Sequence, residues 1–573
     1  MMRWKFWAVC TALCACTIPA LAINREAFTF TKYDLDVRVE PEQQRLAVRG
    51  TVTLRNDSGT PQKNAVLQIS SSLTWRSVRA GDQLLQFVSQ PYVSDIDHTG
   101  QLSEAIASLP KEVPPGGIVE LNIAYEGVIV LDATRLTRIG VPKETAIHSD
   151  WDQIGPTFSA VRGVGNVIWY PVATEVGNLS EGNSLFEVVG RWKQREKDAS
   201  LKATIRIFHN DGETPPILLC NGEEFVMYDS ISRAQEAVAD CSYSHLGWIS
   251  PTFVFGSYEY MEHASVQLFF RPEHKSSAEG FAQAAEKVTP FVSEWFGPPK
   301  EKVVIAELSD PGAAPFEAGR LLLTPLSDTD PKLLQIAMVH ELTHAAFASA
   351  RPWIYEGLAH FAQAMYRERQ DGRQAALDFL GLHRTAIADA EQLTTPSKEP
   401  SADEALTTTA VEEFYRSKAA YVWWMLRDML GDEALKHALA AYRASNDTDP
   451  GYMQKLLQQA SGRDLQSFFD DWVYHDRGLP DFRVSAFFPR ETEGAAYVST
   501  VTIENLGGAG AEVPVTVRYD GGEVTHRLEV HGKGKATIRF ETAGAPTEVI
   551  VNDGTIPESD MSNNVFKVPA AGK

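Results

Sequence analysis

His340, Glu341 and His344 stand inside residues 333–347, a stretch that is nearly apolar on every side. Such a stretch reads as a buried helix. Positions i and i+4 share a helix face, so both imidazoles reach one metal ion, with Glu341 beside them and free to act as a base. Two histidines and a glutamate in apolar surroundings are costly unless they serve a purpose. Glu356 follows His344 by twelve residues. The first helix is expected to stop near Ala350, because Arg351-Pro352 follows and proline suits the start of a new helix. If the two helices run antiparallel, a rise of ~1.5 Å per residue brings Glu356 level with His344. A donor set of His340, His344 and Glu356 leaves one position open, the pattern of catalytic zinc, and predicts one zinc ion per chain. A solvated Glu356 at a helix N-terminus is the bland alternative, which the helix dipole alone would favour. His360, four residues further on, would close the open position as a fourth ligand. It is therefore read as a supporting or structural residue.

The elements that must position these groups fall into three blocks. Residues 24–260 are β-rich. Tyr33-Asp34-Leu35-Asp36-Val37-Arg38-Val39 alternates with period two, and turn clusters such as Asn56-Asp57-Ser58-Gly59 and Pro114-Pro115-Gly116-Gly117 divide the strands. Helical periodicity is scarce there. Near residue 275 the pattern changes: residues 278–296 read as an amphipathic helix, 303–308 and 321–323 as strands, and 331–478 as mostly helical. After Gly478-Leu479-Pro480 the chain returns to short alternating strands, enough for one β-sandwich. The predicted fold class is multidomain α+β. The predicted boundaries are a β domain at 23–260, a catalytic domain at 261–480 and an Ig-like sandwich at 485–573.

The chain has 573 residues, too many for one hydrophobic core. Residues 1–22 have the form of a signal peptide: a positive start at Arg3 and Lys5, an apolar run, and Ala20-Leu21-Ala22 as a cleavage site. An alternative is a lipoprotein anchored at Cys16, since Leu13-Cys14-Ala15-Cys16 loosely resembles a lipobox. Either way the protein is expected to be exported, periplasmic or extracellular, and no later segment is apolar enough to span a bilayer. Outside the leader only Cys220 and Cys241 remain. They form either a disulfide, worth about 3 kcal/mol in the chain-entropy model, or two buried thiols, and export favours the bond. A formal charge of −22 with no basic cluster argues against a nucleic-acid partner.

Several segments together resemble the gluzincins, and within them the aminopeptidase N and leukotriene hydrolase family. Met338-Val339-His340-Glu341-Leu342-Thr343-His344 is similar to the family's zinc helix. Trp353-Ile354-Tyr355-Glu356-Gly357-Leu358-Ala359 is similar to the segment that carries its third ligand. Phe414-Tyr415-Arg416-Ser417-Lys418-Ala419-Ala420 resembles the segment whose tyrosine stabilises the oxyanion, a role the resemblance passes to Tyr415. Trp169-Tyr170-Pro171 resembles part of the family's saddle-shaped first domain. The resemblance implies a thermolysin-like catalytic domain behind such a saddle. Eleven residues separate His344 from Glu356, fewer than the family usually has; this shorter spacing resembles the broader peptidase MA-like domains. Ala314-Pro315-Phe316-Glu317-Ala318 retains only the Glu of the family's amino-group motif, so the resemblance assigns Glu317 to the substrate's N-terminus. The helical roof domain is replaced by the sandwich, which resembles CARDB-type modules through Asn505-Leu506-Gly507-Gly508 and residues 558–564.

These readings predict a zinc metallopeptidase acting on peptides or proteins. Zinc activates a water, Glu341 shuttles its proton, and Tyr415 supports the oxyanion. The strand at 321–323 is expected to pair with substrate backbone. Aminopeptidase action is the first reading. Endopeptidase action on the same site, and a non-catalytic zinc-stabilised interaction protein, are the alternatives. The sandwich is a candidate binding module for another protein or the cell surface.

Overall fold

The computed structural model describes residues 23–181, 184–209, 216–222, 224–229, 236–393, 405–492 and 496–569. The leader and Cys16 lie outside these residues. Among the described residues, no helix is long and apolar enough to cross a membrane.

The N-terminal block is built on an eight-stranded sheet. Phe28–Glu40 lies at its centre, antiparallel to Arg45–Asn56 and parallel to Ser200–Phe208. The alternation read from the sequence is the one observed: Tyr33, Leu35, Val37 and Val39 point into the core, while Asp34, Asp36 and Arg38 face out. Two three-stranded sheets pack on it, one formed by Gln62–Ser70, Gln101–Val113 and Phe87–Val93, the other by Ile217–Cys220, Phe253–Gly256 and Phe158–Val161. Trp169 and Tyr170 anchor the shared core; the Trp169 indole donates to Pro251 O at 3.0 Å. Cys220 and Cys241 are disulfide-bonded, tying the last of these sheets to the main one.

The short helices Thr134–Arg138 and Lys143–Ser149 escape the sequence reading of this block, and so does a longer one, Ser184–Glu196. Its buried stripe is narrow, Leu185, Val188 and Trp192 interrupted by Gly190, and its C-terminal half is almost all charged or polar.

The block predicted as the catalytic domain starts two residues before the predicted position 261. Glu259–His263 pairs with Val266–Phe270 in a five-stranded mixed sheet that continues through Val303–Glu307 and Leu321–Thr324 to Phe316–Ala318. The expected substrate-pairing role of residues 321–323 is corrected here. Leu321–Thr324 is an interior strand, because the chain before it folds back as a hairpin and Phe316–Ala318 covers its outer side. The free edge belongs to Phe316–Ala318.

Helices Lys275–Phe296, Pro331–Ala346, Pro352–Asp371 and Ala419–Leu430 stack beneath the sheet in one apolar core. The sandwich begins at Phe482–Glu491, three residues before the predicted start, and consists of a three-stranded and a four-stranded sheet. Its interior belongs to the same continuous core as the catalytic helices. The Trp472 indole donates to Gly510 O at 2.7 Å, and Asp428 bridges Arg373 and Arg527. It is therefore a docked domain rather than one held only by a linker.

Candidate active site

Helix Pro331–Ala346 begins with Asp330 as N-cap, its carboxylate accepting from the Lys332 amide at 2.8 Å, and with Pro331 in the first turn. Met338, Val339 and Leu342 are fully buried around it, and His340, Glu341 and His344 are buried with them. The helix stops at Phe347, whose extended backbone leads to Pro352 and the second helix, Pro352–Asp371. Gly357 permits the next contact. A Cβ there would stand 2.7 Å from the Ala419 methyl group and 3.1 Å from the Trp423 ring. The neighbouring helix thus lies against the backbone beside Glu356.

The i, i+4 spacing brings His340 Nε2 and His344 Nε2 to 3.1 Å. The Glu356 carboxylate lies 3.9 Å from the first and 3.8 Å from the second. Donors on one tetrahedral zinc, each about 2.0–2.2 Å from the ion, stand ~3.4 Å apart. The three groups bracket that spacing.

Glu317 sits on the edge strand Phe316–Ala318, with carboxylate oxygens 3.0 Å from both histidine nitrogens. Among the described residues, two groupings of metal-capable side chains result, Glu317 with His340 and His344, and His340 with Glu356 and His360. On distance alone Glu317 is as well placed to ligate as Glu356. His360 is less suited, because Arg416 Nε donates to its Nε2 at 3.1 Å, occupying the lone pair a metal would need.

Glu341 Oε2 and His344 Nδ1 are buried and have no hydrogen-bond partner among the described residues. Burial pushes the Glu341 carboxyl well above the usual range, and the charges of Glu317 and Glu356 add to the rise. Burial also acts to raise Glu317, but the charges and hydrogen bonds of His340 and His344 outweigh it and hold that carboxyl well below the usual range. Burial lowers His360 far below an ordinary histidine, helped by His340 and Arg416.

A cavity of about 630 Å³ opens beside these groups, between the N-terminal and catalytic blocks. Trp151 and Trp248 lock its two walls together by donating to Ala314 O at 2.9 Å and Ala350 O at 3.1 Å. Tyr415 reaches the cavity from Glu413–Lys418, a π-helical segment continuous with helix Ala419–Leu430. π-Helical turns frequently mark functional positions. Burial raises the Tyr415 hydroxyl pKa, as do Glu412 and Glu356, so the group stays a proton donor.

Sequence reasoning missed three neighbours. Tyr355 stacks on His344, with centroids 3.8 Å apart and planes inclined by 22°, fixing that imidazole. Arg416 pairs with Glu356 at 3.5 Å and with Glu412. Lys193, from the missed helix Ser184–Glu196, lines the cavity. Adjacency to Glu356 and Tyr415 was the only sequence signal for the first two; Lys193 had none.

No protein-family model matches the sequence, and no curated protein matches it. Among solved structures, the chain is similar to a mutant form of an M1 zinc metallopeptidase from Deinococcus radiodurans. The identity is 16%, the match covers 80% of this chain and 96% of that chain, and the TM-score is 0.45.

Proposed function

We propose that this chain is an exported zinc-dependent metallopeptidase of gluzincin type that acts as an aminopeptidase. The observation that carries the reading is the convergence of His340 Nε2, His344 Nε2 and the Glu356 carboxylate at ligand spacing beside a buried, unpartnered Glu341. A buried carboxylate oxygen without a partner is costly, and a reacting water is a partner of the right chemistry for Glu341 Oε2. The donor set fits zinc, held by His340, His344 and Glu356. When bound there, zinc acts as a Lewis acid that polarises the scissile carbonyl and makes a water nucleophilic near neutral pH.

The chain's own residues do the rest. Glu341 takes the proton from the attacking water and passes it to the leaving amine. The Tyr415 hydroxyl donates to the developing oxyanion. The edge strand Phe316–Ala318 offers backbone groups to an extended substrate. Glu317, on that strand and beside His340 and His344, is the carboxylate assigned to the substrate's α-ammonium. Export is supported by the form of residues 1–22 and by the Cys220–Cys241 bond.

The test is hydrolysis of matched peptides with free and acetylated N-termini, with zinc measured on the same sample. Preference for the free terminus supports the aminopeptidase reading. Equal cleavage supports endopeptidase action on the same site. Bound zinc without hydrolysis of any peptide would leave an interaction protein, with the sandwich as its binding module.

A further inference from the structure

The cavity beside the histidines is lined by four cationic side chains, and three are already committed. Arg135 is held by Asp150, at 2.6 and 2.9 Å, and by two backbone carbonyls. Arg162 is held by Asp152 at 2.7 and 2.9 Å. Arg416 is held by Glu412, Glu356 and His360. Lys193 lines the same cavity and forms no ion pair or hydrogen bond with the described residues.

The position of Lys193 is built rather than incidental. Its helix, Ser184–Glu196, is anchored in the β domain by the buried Trp192. At Gly190 the helix backbone touches the catalytic block: a Cβ there would stand 2.5 Å from Ala410 O and 2.6 Å from the Ala410 methyl group. Three residues on, Lys193 lies on the same helix face, half-buried and lining the cavity. Phe186 and Val189 continue the helix wall of the cavity, and Trp248 and Ile249 line it as well. A half-buried ammonium without a partner is a standing cost that an anionic ligand would relieve.

We infer that Lys193 is a specificity residue that receives a carboxylate of the peptide substrate, in a subsite with an apolar wall of Phe186, Val189 and Trp248. The inference rests on the peptidase reading above and adds a substrate class to it: peptides carrying a carboxylate within reach of this wall. That carboxylate has two sources, an acidic side chain or the C-terminus of a short peptide.

Two substrate pairs separate the sources. One pair differs by Glu against Gln at a single side chain, the other by a free against an amidated C-terminus. With the zinc-loaded enzyme, the carboxylate member of one pair should be favoured in kcat/KM by about tenfold, as for one charge-assisted hydrogen bond in a partly desolvated site. Lys193→Met should bring that ratio close to one, and Lys193→Arg should keep most of it, which guards against a merely misfolded variant. Equilibrium binding of the same peptides to zinc-loaded Glu341→Gln protein gives a readout without turnover and should show the same preference. A wild type indifferent to both pairs, or a preference that survives in Lys193→Met, overturns the carboxylate subsite. Preferential binding without hydrolysis by the wild type would instead overturn the peptidase reading and leave the subsite standing.

Discussion

Glu341→Gln tests the proposed chemistry while sparing the metal donors. The side chain keeps its shape, and at 4% exposure it has little room to move. Its amide cannot accept a proton. Losing a general base costs about 10²–10⁴-fold in turnover, which is ~3–5.5 kcal/mol of barrier. Zinc should stay, because His340, His344 and Glu356 are untouched. The same change should affect metal-free stability in the opposite direction. Burial, with the Glu317 and Glu356 charges, holds the Glu341 carboxyl well above its usual range. For an acid raised in the folded state, the unfolded chain gives up its proton first. Folded stability is then unimpaired below the unfolded value and falls as pH rises from that value toward the folded one. Glutamine carries no such penalty. Avoiding an unpartnered buried charge is worth on the order of 1–3 kcal/mol or more. Metal-free Glu341→Gln should therefore melt above metal-free wild type at neutral pH, and the gap should close as pH falls to about 4.3, the ordinary glutamate value. The assay is peptide hydrolysis and zinc content on one sample, with thermal melts in chelator at two pH values. Activity within tenfold of wild type would remove Glu341 as the base. Loss of zinc would show that it ligates.

Three further outcomes follow from the same geometry. Glu356→Gln should lower bound zinc, read by elemental analysis after dialysis; full retention would transfer the third-ligand role to Glu317, which lies closer to both histidines. Tyr415→Phe should reduce kcat by about 10²–10³-fold with little change in KM, as for one oxyanion donor, and an unchanged kcat would make Tyr415 a wall residue only. N-acetylation of a peptide should lower kcat/KM by at least about tenfold, equal to ~1.4 kcal/mol, and Glu317→Ala should erase that preference while zinc is retained.

The metal-binding core could be read from the chain because helical periodicity is local. Spacing of four places His340 and His344 on one face whatever surrounds the helix. The breaker Arg351-Pro352 turns the chain back toward Glu356, and the observed helices start and stop within a few residues of the expected positions. Period-two alternation identified the central strand Phe28–Glu40 for the same reason. Pairing order, by contrast, depends on contacts distant in sequence. Residues 321–323 read as a strand, but whether that strand is free or covered depends on the hairpin that lays Phe316–Ala318 along its outer side. That same fold-back carries Glu317 to within 3.0 Å of His340 and His344, although it precedes the first of them by 23 residues. Lys193 lies farther still along the chain, and only the docking of Gly190 against Ala410 brings it to the cavity. The sandwich reads as a separate unit from its composition. Its burial against Trp472 and the catalytic helices arises from side-chain packing between surfaces that no local pattern encodes.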